Sequence, residues 1–177
     1  MSTYLCTAPV GTAVDFKHID FNVKIQAPFK PKKIGMIVGG TGLTPMVQAL
    51  HALLGDEDNT TEVSMLYGSR DSSDILGKEL LDNWEKTHGD NGKGGKFSLE
   101  HILSHEKEDS DWKGKRGFIT KELIKENFPS PDLGDDVMIF VCGPPIMYNI
   151  FCGPRSEKEL TGVLKEMGYS ASQVYKF

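Results

Sequence analysis

Two short segments contain the residue types from which a nucleotide site can be built. The first is Gly39-Gly40-Thr41-Gly42-Leu43-Thr44-Pro45, which follows the apolar run Ile34–Val38 and precedes a helical pattern. Glycines there permit positive φ and let the backbone come close to a ligand. Thr44 is placed to cap the helix and Pro45 to take its first position, where no N–H is needed. The free N–H groups and the positive end of the helix dipole then favour a phosphate or pyrophosphate over the turn. The spacing is neither that of the G-x-G-x-x-G fingerprint nor that of a P-loop, because no Lys-Ser or Lys-Thr pair follows the glycines. A tight strand-to-helix turn with no ligand fits these residues equally well.

The second segment is Cys142-Gly143-Pro144-Pro145-Ile146-Met147, at the carboxyl end of the apolar run Val137–Val141. Ligands of open α/β sheets lie outside the carboxyl ends of the strands, where the strand order reverses. If the first and fourth strands are neighbours, both turns line one crevice. Taken alone, Cys142 reads as a small buried apolar residue and Gly-Pro-Pro as a rigid turn. Taken in order and context, the pair is specific.

The elements that must position these turns alternate between short apolar runs and helical periodicity, the pattern of βαβ units on a parallel sheet. Strands are expected at Ile34–Val38, Val63–Tyr67, Phe97–Leu103 and Val137–Val141, with a last short one at Gln173–Phe177. The fourth is apolar throughout, as a central strand covered on both faces should be. Helices are expected at Pro45–Leu54, Ser72–Lys86, Thr120–Asn127 with Thr120 as N-cap, Ile146–Phe151, and Glu157–Met167 ended by Gly168. Asp90–Lys96 reads as a glycine-rich loop. Residues 1–29 carry the alternating stretches Thr12–Phe16 and Phe21–Ile25, which read as strands or extended chain, and Pro28 and Pro31 mark a linker. The fold class is therefore α/β: an open, mainly parallel sheet with helices on both faces, preceded by a short extended segment.

A chain of 177 residues, 38% hydrophobic, with net charge −5, is large enough for one core of its own. The acidic balance gives no electrostatic reason to expect nucleic acid or an anionic membrane as partner. No run is long enough to cross a bilayer and no signal peptide is read at the start. The three cysteines, Cys6, Cys142 and Cys152, form neither a disulfide framework nor a metal-ligand spacing, which suits a reducing intracellular compartment.

Both turns, with Phe140-Val141 before the cysteine, resemble the ferredoxin reductase-like superfamily and, within it, the NADH-cytochrome b5 reductases of the fungal mitochondrial type. The likeness extends to Tyr67-Gly68, to Trp112–Leu123, and to the tail from Glu159-Leu160-Thr161-Gly162 through Gly168-Tyr169-Ser170 to Val174–Phe177; Met1-Ser2 with Tyr4-Leu5 resembles the end of a flavin motif. The resemblance implies that NADH binds in the crevice and passes a hydride to FAD, whose electrons go singly to a heme protein such as cytochrome b5. It implies that Gly39, Gly40, Thr41 and Gly42 lie by the nicotinamide and pyrophosphate, that Thr44 and Pro45 lie close to the flavin, and that Cys142 with Gly143, Pro144, Pro145 and Met147 places the nicotinamide ring. Cys142 and Thr44 are thereby the residues nearest the reacting atoms. Placement is the physical demand, since the cofactors carry the chemistry and no general acid or base is needed.

The resemblance also implies that Phe177 lies by the flavin and nicotinamide, with a core residue of an edge strand as the other reading. It puts Ser69 and Arg70 near the adenosine end, where Ser69 also reads as part of a solvated loop. Ser104 stands where NADH-selective members usually carry an acid, while Phe118 keeps the aromatic of the NADH-using pattern; NADH is expected ahead of NADPH. Residues 1–29 are then expected to be the end of a FAD domain and residues 30–177 the NAD(P)H domain. Because the Arg-x-Tyr-Ser/Thr motif is not found here, FAD is expected to need a separate or missing domain, with Met1-Ser2 left of its pyrophosphate contact. The full-length form would face the cytosol, at the mitochondrial outer membrane or endoplasmic reticulum. A nucleotide-binding or regulatory module without electron transfer remains the alternative. The basic stretches Lys30, Lys32, Lys33 and Lys113, Lys115, Arg116 read either as a dock for an acidic partner or as solvated surface.

Overall fold

A computed structural model of the chain describes residues 2–15, 17, 25–89 and 95–177. Six strands, β1 (Lys33–Gly39), β2 (Glu62–Ser69), β3 (Lys96–Leu103), β4 (Lys115–Arg116), β5 (Val137–Cys142) and β6 (Val174–Lys176), form one sheet in the order β4-β3-β2-β1-β5-β6. Every described pairing is parallel. From β1 the chain moves outward through β2, β3 and β4, then returns to lay β5 on the other side of β1. The strand order therefore reverses between β1 and β5, and the two are neighbours as the crevice requires.

β1 and β5 read as unbroken apolar runs because both faces are covered. On one face Met36, Val38, Met65, Tyr67 and Phe140 pack against α2 (Leu43–Leu54) and α3 (Lys78–His88). On the other, Ile37, Leu66, Ile139 and Val141 pack against α4 (Lys121–Asn127), α5 (Pro145–Phe151) and α6 (Gly162–Glu166). Gly35 faces Phe128 and Ile139 so closely that a Cβ there would stand 2.7 Å from the Phe128 ring and 2.8 Å from Ile139 Cδ1.

Several expectations change. Helix α2 begins at Leu43, continuing a 3-10 turn over Gly40–Gly42, so its N-cap is Gly42; Thr44 and Pro45 are its second and third residues. Thr44 instead bonds back through its hydroxyl to the Thr41 carbonyl at 3.2 Å. The third position still tolerates proline, since the first four N–H groups of a helix lack an internal partner. The helix expected over Ser72–Lys86 is split: a 3-10 turn at Ser72–Asp74 precedes Gly77, whose φ of 62° interrupts the helix before α3, where Leu81 is buried. The helix expected from Glu157 survives only as α6, followed by Gly168 at φ 94°. Strand β4 was not expected.

Ser2–Thr7 form a short helix, α1, in place of extended chain, exposed over Thr3–Thr7, with the Thr7 hydroxyl donating to the Thr3 carbonyl at 2.8 Å. Thr12–Asp15 lie in no regular element. Phe16 and residues 18–24 lie outside the described residues, and so does 90–94 of the expected loop. Ile25 and Phe29 pack onto the first core, and the Ile25 N–H reaches the Tyr175 hydroxyl at 3.0 Å. Among the described residues no helix is long and apolar enough to cross a membrane, and no group of three or more His, Cys, Asp or Glu is gathered as for a metal.

Thr120 caps α4 as expected, accepting from the Leu123 N–H at 3.3 Å; Thr120→Ala is expected to cost about 1 kcal/mol in a denaturant melt. Gly35→Ala should cost about 1–3 kcal/mol, because two packed side chains must move. His101 is the third handle. Its ring lies in the core between Tyr67 and Trp112, and both nitrogens lack a hydrogen-bond partner, with Asp82 3.6 Å away. Burial lowers its pKa below the ordinary 6.5, a shift Asp82 opposes in part. The folded chain thus resists a proton that the unfolded chain accepts, so this contribution is fully present above about pH 6.5 and is lost as pH falls below it. His101→Phe should flatten that acid slope by up to one proton; an unchanged slope would rule the residue out as its source.

Candidate functional site

The site begins as a backbone contact between the two turns. A Cβ on Gly42 would fall on the Cys142 carbonyl, and one on Gly143 would fall on the Met147 sulfur. Gly39 is almost as tight, with Pro144 Cδ 2.9 Å and Met147 Sδ 3.0 Å from its would-be Cβ. Gly40 differs: its φ is 52° and nothing lies within 4 Å of a Cβ there, so its glycine is set by conformation and its outer side is open. The turn is held by the buried Tyr67, whose hydroxyl donates to the Gly40 carbonyl at 3.2 Å. Burial raises the Tyr67 pKa, which keeps that hydroxyl a donor.

Two lobes open from this contact, each of about 640 Å³, a size typical of small-molecule sites. They share Gly39, Gly40, Thr41 and Pro144. The first lobe runs over the carboxyl ends of β2 and β3. It is lined by Ser69, Arg70, Ser104, Phe118 and Met147 among the expected residues, and by Asp74, Leu76, His105, Ile146 and Ile150. Its rim carries apolar side chains that a soluble surface normally hides: Phe118 is 72% exposed, Ile146 67% and Ile150 49%. Such a rim suits a flat apolar ring laid against it.

Ser69 is not part of a solvated loop. It ends β2, is buried, and its hydroxyl has no partner, while its carbonyl accepts the Ser104 N–H at 3.0 Å. Ser104 Oγ lies 2.8 Å from His105 Nδ1.

The second lobe lies above the meeting of the turns. It gathers Gly42, Thr44, Pro45, Cys142, Gly143 and Phe177, and adds Tyr148 and Arg155. Phe177 is buried against Phe140 and Tyr175, as a core residue beside the edge strand β6, and it also lines this lobe. Its N–H donates to the Val141 carbonyl at 3.1 Å, and its carbonyl accepts the Tyr148 hydroxyl at 2.6 Å. Burial, helped by Cys142, pushes the Tyr148 phenol well above its ordinary range, so it stays protonated.

Of the expected site residues, Pro145 begins α5 and lines neither lobe. Met1 lies outside the described residues, and Ser2 is described only as the first residue of α1. The docking reading of the basic stretches weakens. The Arg116 guanidinium is used on the Trp112 and Lys107 carbonyls and the Ser110 hydroxyl, while Lys32, Lys33 and Lys115 pair with Asp136, Glu62 and Glu100. Tyr67, Tyr148, Arg155 and the apolar rim were missed. Only Tyr67 left a signal, a phenol inside an apolar strand that must find a hydrogen-bond partner.

The residues present fit a dinucleotide: two lobes joined at an open glycine turn, one with an apolar rim and a buried hydroxyl without a partner. The similarities of the chain agree with this geometry. It is 43% identical over 155 residues to NADH-cytochrome b5 reductase 2 of Phaeosphaeria nodorum, covering 85% of this chain and 44% of that protein. It is 38% identical over 181 residues to NADH-cytochrome b5 reductase 2 of Neurospora crassa, covering 100% of this chain and 50% of that one. The chain thus spans about half the length of these relatives. Among solved structures, the cytochrome b5 reductase domain of Ulva prolifera nitrate reductase superposes with a TM-score of 0.69 at 28% identity, over 84% of this chain and 49% of that one. The CS-b5R domains of human Ncb5or share the fold at a TM-score of 0.62 and 22% identity, over 83% and 37% of the two chains. Residues 36–153, from within β1 to just past α5, match the family described as the oxidoreductase NAD-binding domain, and the chain belongs to that family.

Proposed function

We propose that this chain is the NADH-binding part of a flavin-dependent reductase of the NADH-cytochrome b5 reductase kind. The observation that carries this is the backbone contact between the Gly39–Pro45 and Cys142–Met147 turns at the point where the strand order reverses, with one lobe on each side. In this reading the adenosine lies in the first lobe, against Phe118 and Met147 and beside Ser69, Arg70 and Ser104. The pyrophosphate crosses Gly40 and Thr41. The nicotinamide lies in the second lobe between Cys142, Gly143, Pro144 and Phe177, with Thr44 and Pro45 toward the acceptor.

The chemistry needs placement and little else. When bound, the nicotinamide supplies a hydride and a flavin accepts it, its electrons then passing to a heme protein such as cytochrome b5. The chain's residues bring donor and acceptor to near-attack distance and exclude water. FAD is assigned to the remainder of such a reductase, with residues 1–29 as the end of the flavin domain and 30–177 as the nucleotide domain. A cytosol-facing location at the mitochondrial outer membrane or endoplasmic reticulum goes with the same reading. A regulatory module without electron transfer gains no support from relatives that are named reductases.

NADH is the proposed coenzyme, as in the names of those relatives, and Asp74 adds a carboxylate to the adenosine lobe. Ser104 in place of an acid leaves only a modest margin over NADPH.

Three measurements test this. Calorimetric titration of the chain should show NADH binding with a dissociation constant on the order of 1 mM or tighter; no binding of either nicotinamide nucleotide at that concentration would end the reading of the crevice. NADPH binding as tight as NADH, or tighter, would overturn the coenzyme assignment, and Ser104→Asp should weaken NADPH about tenfold relative to NADH by placing an acid against the 2′-phosphate. Gly42→Ala should abolish nucleotide binding and cost about 3 kcal/mol of stability, since its methyl group displaces the Cys142 carbonyl.

A further inference from the structure

The loop that joins α5 to α6 is held by more bonds than a surface connection of its length requires. Gly153 and Gly162 stand at its two ends with φ of 80° and 71°, and a Cβ on them would strike the Thr161 hydroxyl and the Ile150 carbonyl respectively. The Thr161 N–H closes the ends together on the Cys152 carbonyl at 3.4 Å. Between them, Lys176 of β6 donates to the carbonyls of Pro154, Glu157 and Glu159 at 3.1, 3.0 and 3.0 Å. An ammonium has three N–H donors and no more. Lys176 is therefore saturated, and the loop is tied to the strand that leads into Phe177.

This loop brings one side chain, Arg155, to the crevice. Among the described residues, Arg155 has the only charged side chain lining the second lobe. Its guanidinium takes part in none of the ion pairs among the described residues. It lies near enough to the Tyr148 phenol for its charge to bear on that group.

We infer that Arg155 is an anion-binding residue of the crevice, taking the pyrophosphate of a dinucleotide as it passes from the first lobe to the second, with Lys176 as the residue that positions it. The inference rests on the dinucleotide reading above. The linker between two nucleosides must cross the shared segment Gly39–Thr41 and Pro144, which offers backbone N–H groups but no charge. A pyrophosphate carries two negative charges, and a guanidinium fork matches phosphate oxygens in both charge and geometry. A loop with two left-handed glycines and a three-carbonyl clamp places that fork at small entropic cost on binding.

The test is a titration of the full chain, followed by NMR shifts, with ADP-ribose and with adenosine, which lacks the pyrophosphate. Arg155→Gln should weaken ADP-ribose about tenfold at low salt, an effect that shrinks as salt screens the charge, and leave adenosine within about twofold. Arg155→Lys should recover part of the loss. Lys176→Met should weaken ADP-ribose in the parent chain and add nothing in the Arg155→Gln background, as expected for two residues acting through one contact. ADP-ribose binding unchanged by Arg155→Gln would overturn the assignment, as would an equal loss for adenosine, which would mark the loop as merely structural. A parent chain that binds neither ligand would instead overturn the dinucleotide reading itself, and this inference with it.

Discussion

The contact between Gly42 and the Cys142 carbonyl constrains everything built above it. The backbones of the two strand-to-helix turns touch because Gly42 carries no Cβ to displace the Cys142 carbonyl, and Gly143 leaves room in turn for the Met147 sulfur. The contact also requires β1 and β5 to be neighbours in register, with Val38 opposite Cys142. That pairing in turn depends on the apolar stretches Ile34–Val38 and Val137–Val141, covered on both faces. The close approach thus rests on the sheet order and the helix layers, and the two lobes rest on the close approach.

Around that contact the structure separates holding from binding. Tyr67 and Tyr148 donate to the Gly40 and Phe177 carbonyls, and burial keeps both phenols protonated through the physiological range. Their hydrogen bonds fix the walls of the site. The open positions, Gly40, Thr41 and the apolar rim of Phe118, Ile146 and Ile150, are left for contact. In the proposed function, shape and backbone donors carry recognition at this site, and the reacting groups belong to the cofactors.

Much of this was legible in the sequence. The apolar runs gave the strands of the core, since strands buried on both faces lose their alternation, and the glycine and Cys-Gly-Pro-Pro turns gave the crevice. Thr120 and Gly168 were readable because caps have local chemistry. What was not readable depended on distant partners. Thr44 resembles an N-cap by type, yet Gly40–Gly42 coil first and α2 starts earlier. Gly77 broke a plausible helical stripe by its conformation alone. The basic stretch ending at Arg116 reads from its charges as a dock or as solvated surface, and neither reading contains the bonds of its guanidinium to the carbonyls of Trp112 and Lys107. Arg155 carried no motif at all, because its place depends on Lys176, some twenty residues further along the chain.

The strand β6 and the residue after it have an effect out of proportion to their length. Tyr175 meets Ile25 near the start of the sheet, Lys176 clamps the α5–α6 loop, and Phe177 closes one wall of the second lobe. These residues come after all the others that shape the site. The two turns can approach each other once β1 and β5 pair, but the lobe above them stays open on one side until β6 docks on β5. Without β6 and Phe177 the sheet would keep five of its six strands and the contact between its turns, yet the second lobe would have a wall missing.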